Sequence, residues 1–166
     1  MLSNSIFFLE IKIIRMFKQK NVCTSEEKIL ECIRLNQPFT IHSRITKLNL
    51  KDNEIDTEGA KSLADALQHN TALTILNLFY NGIGDEGVRA LGEILKNNST
   101  LITLNLGFNK IGAKGAKSLA DALKYNSTLT ILDLSDNQIG AEGAKSLAEA
   151  LKYNTSLTLL CLSENL

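Results

Sequence analysis

Two hydrophobic periods alternate along most of this chain. Between residues 47 and 51, Leu48 and Leu50 alternate with Lys47, Asn49 and Lys51, the period of a half-buried strand. In the following EGAKSLADALQHN, Ala60, Leu63, Ala64 and Leu67 fall at i, i+3, i+4 and i+7, which predicts one apolar face of a helix. The pair then recurs. ITKLNLKDN, LTILNLFYN, LITLNLGFN, LTILDLSDN and LTLLCLSEN begin at residues 45, 73, 101, 129 and 157, in steps of 28 without insertion or deletion. Neither element can bury its apolar face alone, so each unit must stack on its neighbours. A strand, a helix and another strand imply a parallel sheet with right-handed crossovers. Strands stack about 4.8 Å apart and helices about 10 Å apart, so the helices must take the outer circumference. The expected fold is an α/β solenoid, a horseshoe with a parallel inner sheet and outer helices.

The phase divides residues 45–166 into units 45–72, 73–100, 101–128 and 129–156 and a partial unit 157–166. Their LxxLxLxxNxI pattern followed by a helix resembles leucine-rich repeats. The 28-residue form with GAKSLADAL is similar to the ribonuclease-inhibitor-like subfamily, and the resemblance covers about three quarters of the chain. It implies a protein–protein interaction module that binds on its concave sheet without catalysis. Relatives so implied inhibit ribonucleases, sense ligands in nucleotide-binding immune receptors, cap actin filaments or activate Ran GTPase, but none of their specific binding residues can be matched here. The alternatives are a regulator of a small GTPase, as the Ran activator resemblance allows, or a truncated repeat fragment without function.

The two ends depart from the period. Residues 1–22 form an apolar and basic leader, with Ile6 to Leu9 uninterrupted and Lys12, Arg15, Lys18 and Lys20 following. Its apolar run is too short, and its charges wrongly placed, for a signal peptide or a membrane span. Residues 23–44 are expected to cap the array. Thr24 with Glu27 reads as a capping box opening a helix through about Asn36, its apolar face carrying Ile29, Leu30, Ile33 and Leu35, ahead of an irregular QPFTIHSR. The sequence stops one strand into a fifth unit. A truncated array is the expected reading, and self-association through an uncapped C-terminal strand edge the other.

Recurring positions are ascribed to architecture. Asn53, Asn81, Asn109, Asn137 and Asn165 are expected to form an internal ladder that satisfies backbone groups at the turns. Gly59, Gly87, Gly115 and Gly143 mark close approaches where the helices begin. Asn70, Asn98, Asn126 and Asn154 suit left-handed residues at the helix ends. Lys61 with Asp65, Arg89 with Glu93, Lys117 with Asp121 and Lys145 with Glu149 predict i,i+4 ion pairs on a solvated face. Gly82, Gly84 and Gly87 spell GxGxxG, but Gly84 and Gly87 recur in the next two units, so no nucleotide site is inferred. The sequons at Asn97, Asn98, Asn126 and Asn154 likewise follow from the repeated turn.

Composition then has a cause: 28 Leu and 16 Asn, over a quarter of 166 residues, are the unit counted nearly five times. Charge balances at 18 basic and 18 acidic residues, which excludes the basic excess that nucleic acid demands. The balance hides unlike parts, since residues 1–44 carry seven basic and four acidic side chains, leaving eleven and fourteen for residues 45–166. Cys23, Cys32 and Cys161 have no framework or metal spacing, and His42 and His69 stand alone. No nucleophile–base arrangement can be assembled. No enzyme activity, cofactor, metal, nucleic acid or membrane is expected, and a cytoplasmic location is.

Function is best sought where the copies diverge on one surface. Outward strand positions form four columns along the concave sheet: Lys47, Ile75, Thr103, Ile131, Leu159; Asn49, Asn77, Asn105, Asp133, Cys161; Lys51, Phe79, Gly107, Ser135, Ser163; and Asp52, Tyr80, Phe108, Asp136, Glu164. Phe79, Tyr80 and Phe108 are three of nine aromatics and sit in adjacent units. Exposed aromatics concentrate binding energy at interfaces. The expected partner-binding surface comprises Phe79, Tyr80, Phe108, Ile75, Asn77, Asn105, Ile131, Asp133, Asp136 and Lys51. Acidic Asp133, Asp136 and Glu164 rim one side, and Lys47 and Lys51 the other.

Overall fold

The computed structural model describes residues 21–165, which form β1 (Asn21–Cys23), α1 (Glu26–Arg34), β2 (Phe39–Ile41), β3 (Lys47–Asn49), α2 (Thr57–Leu67), β4 (Ile75–Asn77), α3 (Gly84–Leu95), β5 (Thr103–Asn105), α4 (Ala113–Leu123), β6 (Ile131–Asp133), α5 (Gly140–Leu151) and β7 (Leu159–Cys161). Strands β3 to β7 make one parallel sheet in sequential order, each residue paired with the residue 28 positions on. The helices pack in the same order, α2 on α3, α3 on α4 and α4 on α5. This is the α/β leucine-rich solenoid that the period demands.

The core is built of rows that run through the coils. Leu48, Leu76, Leu104 and Leu132 are buried at the strand centres, with Leu50, Leu78, Leu106 and Leu134 two residues on. Ile55, Ile83, Ile111 and Ile139 close the turns, and Leu63, Leu91, Leu119 and Leu147 face them from the helices. Replacing one such Leu by Ala costs about 2–5 kcal/mol, because the stacked neighbours cannot collapse into the gap.

Polar rows bind the coils together. Asn81 accepts from the Asn53 and Ile55 amides at 3.1 and 2.9 Å and donates to the Leu50 and Leu78 carbonyls at 3.0 and 2.9 Å. Asn137 repeats the set, accepting from the Asn109 and Ile111 amides and donating to the Leu106, Leu134 and Ser135 carbonyls. Asn109 and Asn165 also reach the backbone of the preceding coil, through Leu78 and Leu134, whereas Asn53 bonds only locally, to the Lys51 carbonyl. The rungs therefore run amide to backbone to amide, with no hydrogen bond between the ladder's Asn side chains among the described residues.

Several local expectations are corrected. Asn70, Asn98, Asn126 and Asn154 do not adopt the left-handed region; among neighbouring helix ends only Asn36 does, at φ 48°. Instead each Oδ1 accepts from the amides two and three residues on, and Asn126 and Asn154 donate to Leu95 and Leu123 carbonyls one coil back. They form a second ladder. The expected i,i+4 ion pairs are also replaced, by i,i+3 pairs Glu58–Lys61, Glu86–Arg89, Glu93–Lys96, Asp121–Lys124 and Glu149–Lys152 at 2.7–2.9 Å. Helical side chains lean toward the N-terminus, so each base reaches back to an acid one turn earlier. The Glu149 carboxyl is accordingly held below its ordinary range by the Lys152 hydrogen bond, and Lys152 is raised by Glu149.

Helix starts alternate between coils. Asp56 caps α2 with its own Oδ1, which accepts from Gly59 N at 2.9 Å. α4 begins after Gly112, which has no side chain to offer. Asp85 of the preceding helix fills the place, its Oδ1 accepting from Gly112 N at 2.7 Å and Gly115 N at 2.9 Å. A Cβ at Gly115 would stand 2.6 Å from that oxygen. α3 and α5 begin at Gly84 and Gly140, whose φ of 65° and 59° lies in the region that favours glycine.

The N-terminal unit is β–α–β rather than a helix followed by irregular chain. β1 pairs in parallel with β2, so part of QPFTIHSR is a strand in which Phe39 and Ile41 are buried. Its three residues are too few to display a period. α1 starts one residue later than expected, with Ser25 as N-cap accepting from Lys28 N and no capping box from Thr24 and Glu27, and it ends at Arg34 rather than about Asn36. Glu26 Oε1 accepts from Asn49 N at 2.8 Å, closing the β3 side of the sheet. Of the leader expected over residues 1–22, residues 1–20 lie outside the described residues. No helix among the described residues is long and apolar enough to cross a membrane.

Candidate functional site

Four of the five strands of the sheet, β3 to β6, end in the same way. The residue at the second column accepts, through Oδ1, the amide two residues on: Asn49 from Lys51, Asn77 from Phe79, Asn105 from Gly107 and Asp133 from Ser135, at 2.9–3.3 Å. Asp133 also takes the Ser135 hydroxyl at 2.7 Å. Asn77, Asn105 and Asp133, expected to meet a partner, thus already turn the chain off the sheet. The fourth column follows in a left-handed backbone at all five positions: Asp52, Tyr80, Phe108, Asp136 and Glu164 have φ between 53° and 57°. One backbone conformation repeated coil after coil sends these side chains out in parallel.

That parallel exit makes the aromatic cluster. The Tyr80 and Phe108 rings stack at 4.6 Å and 26°, a separation close to the strand spacing itself, and each ring is 6.4 Å from that of Phe79. Phe79 is half-buried, while Tyr80 and Phe108 remain 48% and 47% exposed. Phe79 lies across Gly107, where a Cβ would meet its ring at 2.8 Å. Glycine in the third column is therefore what lets the ring lie down. Lys51 Nζ sits 4.9 Å from the centroid of Phe79, a cation–π contact. Beside the stack, Asp52, Glu54, Tyr80, Asn81, Gly82, Phe108 and Lys110 line an open cavity of about 320 Å³.

Not every expected residue joins the cluster. Ile75 and Ile131 are half-buried, lie on either side of Thr103, and start their strands four residues before Phe79 and Ser135, about 13 Å away along the chain. They border the sheet rather than extend the aromatic surface. Asp136 is exposed one coil beyond Phe108. Glu54 and Lys110, which the column reading missed, belong to the cavity wall. Their left-handed φ of 56° and 59° turns the chain back beside the stack, and an outward position two residues past the strand column carries no signal of that turn. Among the described residues no group of three or more His, Cys, Asp or Glu is placed to hold a metal ion. The arrangement offers stacking surface, carboxylates and two ammonium groups: the means to bind, with no paired nucleophile and base.

Comparison with known proteins adds a family. The model described as the TMOD/LMOD leucine-rich domain matches residues 23–163. Among solved structures, leiomodin-1 actin-binding site 2 (ABS2) aligns with a TM-score of 0.70 and 29% identity over 85% of this chain and 80% of that one. A tropomodulin C-terminal domain from Caenorhabditis elegans shares the fold, with a TM-score of 0.69 and 17% identity over 84% of this chain and 83% of that one. No curated protein sequence matches the chain. These matches support a leucine-rich domain and do not single out the ribonuclease-inhibitor-like subfamily.

Proposed function

This chain belongs to the TMOD/LMOD leucine-rich domain family, and from that premise we propose that it is a non-catalytic, cytoplasmic protein-binding domain whose partner is actin. The observation that carries the reading is the 29% identity with leiomodin-1 actin-binding site 2 across most of both chains. The contact is centred on Phe79, Tyr80 and Phe108, with Lys51 and Asp136 beside them. Three properties favour this centre. Tyr80 and Phe108 are exposed and Phe79 half-buried beneath them, the three have no partner ring beyond their own trio among the described residues, and they occur in only two of the coils. Regulation of a small GTPase is not favoured, because the matching family is one of leucine-rich domains akin to an actin-binding site.

Titration of labelled actin with the full chain tests the reading. Binding is expected for the native chain, and replacing Phe79, Tyr80 and Phe108 together by Ala should weaken it at least about tenfold, since each lost hot-spot ring costs about 2 kcal/mol. Thermal unfolding of the same variant should remain cooperative, which separates loss of contact from loss of fold. No binding by the native chain overturns the partner; undiminished binding by the variant overturns the centre.

A further inference from the structure

We propose that the strand-exit edge takes an extended, basic segment of the partner, with cationic side chains at i and i+4 on Asp52 and Asp136 and the residue at i+2 on the Tyr80–Phe108 stack. The inference rests on the preceding reading that this edge is the docking surface. It names the chemistry the edge selects.

Charge points first. On the helices, Glu58, Glu86, Glu93, Asp121 and Glu149 are each neutralised by a base one turn away. At the strand exits, Asp52, Glu54, Asp136 and Glu164 carry no ion pair among the described residues. Two ammonium groups share this edge with those four carboxylates: Lys51, engaged over the Phe79 ring, and Lys110, on the cavity wall. The edge is thus an anionic frame around an exposed aromatic platform. A guanidinium or ammonium group is the complement of both parts, pairing with a carboxylate and lying well on a ring face.

Spacing then selects the conformation of the occupant. Asp52 and Asp136 are three coils apart, about 14 Å at the strand spacing, and the Tyr80–Phe108 stack lies midway. An extended chain presents one face every second residue, so i, i+2 and i+4 fall at about 0, 7 and 14 Å. All three positions coincide with a carboxylate, the stack and a carboxylate. A helix face recurs at about 10.5 Å for i+7 and about 16.5 Å for i+11, each further from the separation of about 14 Å than the i+4 position of an extended chain.

The test is an NMR titration of the isotopically labelled full chain with three capped peptides: Arg-Gly-Leu-Gly-Arg, its relative Glu-Gly-Leu-Gly-Glu, and the reordered Arg-Arg-Gly-Leu-Gly. The first should shift the Tyr80 and Phe108 amides with a Kd about tenfold below that of the Glu peptide and about threefold below that of the reordered one. Asp52→Asn and Asp136→Asn should each raise the Kd for the first peptide about threefold to tenfold while leaving the unfolding midpoint in place. Equal affinity for the Glu peptide, shifts confined to another face, or indifference to both Asp variants would overturn the inference. Actin binding that depends on the rings, with no charge preference among the peptides, removes this inference and leaves the docking surface intact. A charge preference without actin binding removes actin as the partner and leaves this inference, and the edge as a docking surface, in place.

Discussion

Asn137 shows what one recurrent amide does for the molecule. Its carboxamide takes two backbone amides and gives to three carbonyls, and it is 6% exposed. Asn137→Ala strands the Asn109 and Ile111 amides in the interior, at a cost of about 2–6 kcal/mol, since each buried unsatisfied group costs about 1–3 kcal/mol. Asn53→Ala removes one side-chain bond at a half-exposed site and should cost under about 1 kcal/mol. Urea unfolding compares the two, and equal losses would refute the ladder as the source of the energy. The period of 28 makes this row visible in the sequence, but not the second row. An Asn that turns left-handed and an Asn that accepts the amides of the next residues leave the same mark behind a helix, and only the dihedrals of Asn70, Asn126 and Asn154 decide. The thiols tell a similar story. Cys23 and Cys32 are buried with their sulfurs 3.5 Å apart, and burial, then the hydrogen bond to Cys32, push the Cys23 thiol up to about 12. A thiol whose folded value lies above its unfolded one favours folding below the unfolded value of about 9 and loses that contribution as pH rises toward 12. Stability measured in urea should therefore hold through pH 8 and fall above pH 9, more steeply than in Cys23→Ala. Identical slopes would refute the assignment. In a thiol-reactive dye assay at pH 8, half-exposed Cys161 should label well before either buried thiol.

At the scale of elements, Asp85 is the informative case. It belongs to α3 by sequence and to α4 by function, for its carboxylate holds the two amides at the start of α4. Asp85→Ala should cost about 1–2 kcal/mol, the usual range for losing an N-cap, although its own helix gains no cap from it. Hydrogen exchange gives the decisive readout. Protection at Gly115 and the first turn of α4 should drop before that of α3, and preferential loss in α3 would refute the trans-cap. Helices and strands themselves were readable, because strand alternation and helical spacing both survive in single units such as KLNLK and EGAKSLADAL. Connections between units were not. Asp85 aligns with Thr57, Ala113 and Ala141, so it registers only as one divergent residue off the concave columns. The same blindness explains β2, where burial of Phe39 and Ile41 depends on pairing with β1 rather than on any period of its own. The candidate site divides likewise. Its columns follow from the repeat, so Tyr80 and Phe108 could be placed side by side; the stack at 4.6 Å and the ring of Phe79 across Gly107 depend on a left-handed turn that the aromatic residues themselves do not advertise.

For the whole molecule, the question is whether the coils unfold together. A repeat array is held by contacts within each coil and by interfaces between neighbours, and it behaves as one unit only when the interfaces dominate. Here every layer crosses the interfaces: the sheet through its 28-residue register, the helices through their sequential packing, and both Asn rows through bonds that reach back one coil. The ion pairs among the described residues do not, since each joins residues three apart in one helix or at its C-cap, on the solvated face. Salt should therefore change stability little, each exposed pair being worth a few tenths of a kcal/mol at about 0.3–0.5. Leu106 is the place to test cooperativity, because it is fully buried in the middle coil, with Leu78 before it and Leu134 after it in the same row. Leu106→Ala should cost about 2–5 kcal/mol. If the interfaces dominate, that loss appears as one earlier, still single transition by circular dichroism and by Tyr fluorescence alike, with exchange protection lowered from β3 through β7 together. Two resolved transitions, or protection lost only in the coil from 101 to 128, would show that the coils are coupled more weakly than their shared rows require. A rigid, cooperative array is also what keeps the Tyr80–Phe108 stack and the flanking carboxylates at a fixed spacing, so the same measurement bears on how firmly the docking edge is set before a partner arrives.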